Sequence, residues 1–207
     1  NIHVLWSSAS MEGRSEVAIE AGRKLAENVN LEQIKEFPTI EFFRTIPLLS
    51  MVRFAHWGEI LQEAQPPQEL VYSNAIWRYA RAIAMARTGK LDSAQSEVDA
   101  ILPLLSSESI QYLDDNDYPA SQILGIAVLL AKGELAQANE EYSRAIASYA
   151  SAVEEQDALP YTEPPFWYYP ARQNLGQAML LAGDSAGAEQ VYRDDLAQYP
   201  QNGWSLI

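Results

Sequence analysis

Four features of this 207-residue sequence have residue types and spacings that could do chemistry. Gly183-Asp184-Ser185-Ala186-Gly187 spells G-x-S-x-G, the turn that presents a nucleophilic serine in many hydrolases. That chemistry needs a strand entering the turn and a histidine oriented by an acid. Here a helical pattern enters, and the only histidines are His3 and His56. The stretch therefore reads as a helix–helix turn whose Asp184 or Ser185 caps the following helix. Asp114-Asp115-Asn116-Asp117 gathers carboxylates as a hard cation requires, but the sixth position from Asp114 is Pro119 instead of glycine and the twelfth is Gly125 instead of glutamate. A solvated loop is the expectation there. Two histidines without H-E-x-x-H spacing make no metal centre, so the sequence assigns no catalytic residue, metal ligand or cofactor.

The fourth feature is Leu159 to Pro170, with four prolines and five aromatic residues in twelve positions. It reads as a rigid aromatic platform for a peptide or small ligand, or as a stiff connection whose rings pack on the preceding hairpin while its prolines fix the entry to a helix. Arg172, one turn beyond Tyr168 and Tyr169, is placed to stack on a ring or to pair with Glu163.

Composition narrows the classes further. The chain has 28 acidic and 14 basic residues, a net charge of −14, and no cysteine. Disulfides, thiolate metal sites and a cysteine nucleophile are excluded, and a net charge this negative argues against nucleic acid, whose phosphates need clustered Lys and Arg. Residues 1–103 carry 13 acidic and 10 basic residues, a net −3, whereas 104–207 carry 15 and 4, a net −11. A basic partner would be drawn to that C-terminal half. No apolar run approaches the roughly 18–20 residues of a membrane span, so a soluble protein without membrane insertion is expected, its compartment left open between cytoplasm and periplasm. The sequence starts at Asn1 and ends at Trp204-Ser205-Leu206-Ile207 as a new segment begins. It reads as the C-terminal piece of something longer, whose exposed last hairpin invites self-association.

What positions these residues is helical. Apolar side chains return every three or four positions through Trp77–Met85 and Leu91–Leu102, with Gly89 between them to close the first helix. The same turn recurs at Gly13, Ala55, Glu140 and Gly183, at intervals of 42, 34, 51 and 43 residues. The clearest copy has Leu175-Gly176, Met179, Gly183, Ala188, Tyr192, Leu196 and Pro200. These residues resemble the tetratricopeptide repeat, with Met179 in place of its tyrosine. The Pro-Pro-x-Trp-Tyr-Tyr-Pro stretch and the terminal Pro-x-Asn-Gly-Trp-Ser resemble bacterial members of that family.

The resemblance implies one all-α domain over 1–207, a right-handed solenoid of about five antiparallel hairpins at approximately 1–27, 39–64, 71–105, 119–156 and 165–200. The insertions near 28–38, 105–119 and 156–165 are expected along one edge. Family precedent puts first helices on the concave groove, which brings in His3, Ser7, Thr45, Leu49, Arg53, Tyr79, Ile83, Glu134, Gln173 and Gln177. The family's chaperone-tail clamp of Lys and Asn is not reproduced. Candidate partner-binding residues are thus His3, Ser7, Arg53, Trp77, Tyr79, Glu163, Trp167, Tyr168, Arg172 and Gln173. The expected function is a non-catalytic scaffold binding a protein or peptide through the groove or the long-loop edge. The alternative is a small-molecule or metal-dependent site where the aromatic loop meets the groove, with His3 as its motive; against it, His3 reads better as packed with Leu5 and Trp6 in the first helix.

Overall fold

The computed structural model describes residues 2–206, which are all-helical with no strand. Asn1 and Ile207, the outer residues of the first expected hairpin and of the terminal stretch, lie outside the described residues. The helices are α1 (Ile2–Met11), α2 (Ser15–Glu27), α3 (Leu31–Glu36), α4 (Ile46–Arg53), α5 (Trp57–Ile60), α6 (Val71–Arg87), α7 (Leu91–Ile101), α8 (Glu108–Asp115), α9 (Ala120–Ala138), α10 (Tyr142–Asp157), α11 (Arg172–Leu181) and α12 (Ser185–Gln198). None is long and apolar enough to cross a membrane.

The five expected turns share one geometry, which Asp117, with φ of 62° and the Tyr118 N–H donating to the Leu113 carbonyl at 3.0 Å, also adopts. Gly13, Ala55, Gly89, Glu140 and Gly183 have φ of 77°, 62°, 75°, 60° and 86°. In each case the next residue's N–H donates to the carbonyl five positions back: Arg14 to Ala9, His56 to Met51, Lys90 to Met85, Glu141 to Ala136 and Asp184 to Met179, all at 2.8–2.9 Å. This is the Schellman closure, in which a left-handed residue lets the end of a helix satisfy its own carbonyls before the chain reverses. Ala55 and Glu140 adopt it at a cost of about 1 kcal/mol each relative to glycine, so the surrounding helix pairs must hold them there.

Neighbouring helices pack in sequence order, α1 on α2, α2 on α4, α4 on α6, α6 on α7 and α9, α9 on α10, α10 on α11 and α11 on α12. Missing side chains set the closest approaches. A Cβ on Gly176 would lie 2.6 Å from the Tyr192 ring, and one on Gly133 would lie 2.4 Å from Tyr149, so these glycines let α12 and α10 press an aromatic ring against the backbone of the preceding helix. Trp6, the large residue in the corresponding slot of the first pair, turns instead to α4 and donates its Nε1–H to Ser50 Oγ at 2.7 Å.

Residues 39–64 depart furthest from a regular hairpin. Pro38–Thr45 is a 3-10 segment, and α5 has only four residues. The long connections converge instead of hanging free. Phe42 of the 3-10 segment stacks on Tyr118 with centroids 5.3 Å apart, and Tyr118 meets Phe166 of the Pro-rich aromatic stretch edge-on at 5.6 Å, so these three segments join a common cluster. The acidic cluster finds a structural use here: Asp114 Oδ1 accepts the Ser121 N–H at 3.0 Å, in the first turn of α9.

The chain end returns to its start. Trp204, expected at an exposed face, is half-buried and donates Nε1–H to the carbonyls of Met11 at 3.1 Å and Ser10 at 3.3 Å. Exposed apolar residues remain at Val4 and Leu5 on α1 and at Leu180 and Leu181 ending α11.

Candidate functional site

A cavity of about 560 Å³ opens between α4, α6, α9 and α11, closed at one side by Tyr192 of α12 and by Trp204. Its size is that of an ordinary ligand site. Arg53, Tyr79, Ile83, Glu134, Gln173 and Gln177, all expected on the inner face, line this cavity. His3, Thr45 and Leu49 line a separate one of about 180 Å³, and Ser7 a third of about 160 Å³. The Pro-rich aromatic segment divides them, since Tyr168 borders all three.

That segment is packed and offers no open platform. Trp167 is 1% exposed and Tyr168 8%, with Trp167 edge-on to Tyr79 at 5.5 Å and the Tyr79 and Tyr168 hydroxyls 3.1 Å apart. Burial pushes both phenols well above their usual pKa, so they act as neutral hydrogen-bonding groups. The segment runs as successive bends with φ fixed at four prolines, and burial of its rings between α1 and α6 holds it in place.

The expectations for Trp77 and for a pairing of Arg172 with Glu163 are corrected, while His3 packs against Trp6 in the first helix. Trp77 lies two residues from Tyr79, hence on another face of α6. It is 8% exposed and donates Nε1–H to the Glu63 carbonyl at 3.0 Å, away from the cavity. Arg172 pairs with Asp157, at 2.7 and 2.5 Å, and with Gln198 at 3.0 Å, tying α10 to α11 and α12. Glu163 instead accepts from the Tyr161 hydroxyl. His3 stacks on Trp6 at 5.4 Å and meets Phe43 edge-on at 5.2 Å, and burial lowers its pKa, which keeps the imidazole neutral. Among the described residues no three His, Asp or Glu side chains gather as metal ligands.

Two arginines face the cavity in different electrostatic states. Arg87 is matched by Glu134, with Nε to Oε1 at 2.6 Å and Nη2 to Oε2 at 2.9 Å, and the Tyr149 hydroxyl also donates to that carboxylate at 3.4 Å. Burial still raises the Glu134 pKa against the pull of Arg87. Arg53 has no such match. Its Nη1 donates to the neutral Gln173 amide oxygen at 2.8 Å, and no carboxylate among the described residues lies within ion-pair distance. Its guanidinium is 4.9 Å from the Tyr169 ring centroid and 3.9 Å from that of Trp204. Arg53 Nη2 and Gln173 Nε2 are both shielded from solvent without a hydrogen-bond partner. Desolvation accordingly works against the charged form of Arg53.

Repeat position pointed to Arg53, Tyr79 and Gln173. Trp57, Asn174, Tyr192 and Trp204 also line the cavity and were missed. Asn174, next to Gln173 in the same helix turn, could have been found from the helical period. Trp204 could not, because only the return of the chain end places it there. No protein-family model, curated protein or solved structure matches the chain.

Proposed function

We propose that the chain is a non-catalytic scaffold, a right-handed solenoid of tetratricopeptide-like hairpins, that receives a peptide segment of a partner protein in the cavity between its first helices. The observation carrying this reading is that α4, α6, α9 and α11, the leading helices of successive pairs, contribute to one open cavity with polar, aliphatic and aromatic walls. The five matching turns and the Gly133–Tyr149 and Gly176–Tyr192 contacts support the family resemblance. The loop edge is the weaker candidate surface, because its aromatic residues are spent on one another.

Selection of a displayed peptide library on the intact chain tests the reading. Gln177 is exposed at the cavity mouth, so Gln177→Trp fills the space without entering the core. Selected peptides are expected to lose at least tenfold in affinity for the Gln177→Trp protein. Peptides that bind both proteins equally, or a selection yielding no binder, would overturn the proposal.

A further inference from the structure

Among the buried polar groups, Arg53 is the one whose charge is unmatched at an open cavity. Asp195 is fully buried outside the cavity lining: its Oδ2 accepts from Asn202 at 2.9 Å and Ser205 at 2.6 Å, its Oδ1 has no partner, and its charge favours the protonated Arg53 without reaching ion-pair distance. Glu41 accepts the Ser73 N–H at 2.7 Å and serves as a cap for α6. Glu97 is shared between Arg78 and Arg81, both at 2.8 Å. Each of those has a structural role within the fold. Arg53 instead presses a guanidinium between two aromatic rings, spends one donor on a neutral amide, and leaves Nη2 and the adjacent Gln173 Nε2 unused. A desolvated cation and an idle amide donor side by side are complementary to one carboxylate, which accepts two hydrogen bonds at once.

We infer that the cavity's occupant carries a single carboxylate that docks on Arg53 and Gln173, with its apolar body against Tyr79, Tyr169 and Trp204. This rests on the cavity reading proposed above and names the chemistry of what enters it. One carboxylate fits better than a polyanion. The molecule as a whole carries −14, which repels multiply charged ligands over distances of about 8–10 Å at ordinary salt, and the cavity's other cation, Arg87, is already taken by Glu134. Both idle donors are shielded from water, so a carboxylate arriving from the cavity reaches them only as the Trp204 indole, which covers Arg53, shifts. The indole N–H of Trp204 therefore reports on binding.

The shared chemistry has two sources, a free organic acid or a peptide's terminal carboxylate, and the experiment separates them. The intact 15N-labelled protein is titrated with sodium benzoate, benzamide, inorganic phosphate, and one selected cavity-binding peptide as its free acid and as its amide, following the Arg53 Nε–H and Trp204 Nε1–H signals. Benzoate is expected to shift both signals saturably and at least tenfold more tightly than benzamide or phosphate, and Arg53→Met is expected to abolish the response. A tenfold preference for the peptide acid over its amide assigns the carboxylate to a peptide end. Equal peptide affinities with a benzoate response assign it to a free acid. If Arg53→Met does not fold, Gln173→Leu replaces it, with a loss of at least fivefold expected.

Equal binding of benzoate and benzamide, an equal response to phosphate, or a benzoate response unchanged in the variants would overturn the inference. The wider reading has its own readout. A peptide amide that binds the cavity and loses affinity on Gln177→Trp, but not on Arg53→Met, would leave the scaffold standing while removing the carboxylate.

Discussion

The Trp204 indole lies over the Arg53 guanidinium at 3.9 Å while its N–H reaches the Met11 carbonyl at 3.1 Å. One side chain near the last described residue thus touches both the end of α1 and the end of α4. It also forms a wall of the cavity whose chemistry Arg53 sets. Stability and binding are coupled through this contact, because whatever moves the indole changes the environment of the cation beneath it.

Trp204→Ala should cost about 2 kcal/mol, combining a half-buried aromatic body, its cation–π contact and its hydrogen bond. Trp204→Phe keeps a ring over Arg53 and loses the N–H, so about 1 kcal/mol is expected. Urea unfolding followed by far-UV circular dichroism measures both. Equal losses would show that the stacking contributes little.

Gly133 and Gly176 occupy equivalent positions but should respond differently to alanine. Each substitution gains about 1 kcal/mol of helix propensity and introduces a clash with a tyrosine ring. Tyr149 is fully buried and cannot move aside, whereas Tyr192 is partly exposed and can swing outward. Overpacking of a fixed ring costs about 1–3 kcal/mol. Gly133→Ala should therefore lose about 1–2 kcal/mol net, and Gly176→Ala should fall within about 0.5 kcal/mol of the parent. Thermal or urea melts of the two variants give the ordering directly.

Glu41 predicts a pH dependence of unusual sign. Burial raises its pKa in the folded chain, outweighing the Ser73 hydrogen bonds and the charge of Arg44. The folded state then holds this proton more tightly than the unfolded state, so this contribution to stability is greatest below the usual carboxylate value. It falls as pH rises towards the raised folded value and is constant above it. Glu41→Gln retains an oxygen acceptor for the Ser73 N–H, removes this slope and should leave stability at pH 7 unchanged or higher. Glu134, raised in the same direction, keeps its own share of the slope. Urea midpoints of the parent and the variant from pH 4 to 8 test the difference.

Local pattern made the turns legible. Even Ala55 and Glu140, which lack glycine's freedom, were found from their spacing, and their φ values of 62° and 60° match the glycine turns. The region 39–64 was less legible because Pro38 and Pro47 favour tight or initiating turns, so the apolar spacing alone overstated its helices. The ends of the chain were read least well. Trp204 looked like an exposed apolar residue because nothing within a helical period of it shows that α1 supplies its acceptors. The same holds for the aromatic strip, whose partner Tyr79 lies 89 residues from Tyr168. Arg53, Tyr79, Ile83, Glu134, Gln173 and Gln177 follow from repeat position, whereas Tyr168, Tyr169 and Trp204 reach the cavity only through these long-range returns.

An open stack of hairpins can fray from either end, shedding one pair at a time while the middle survives. With Trp204 bonded to the last residues of α1, peeling α12 away also strips a contact from the first pair, and loosening α1 releases the C-terminal segment. Each end acts as the other's clasp. Backbone amides of the first and last pairs are therefore tied to a common opening event, and their hydrogen exchange should slow or quicken together.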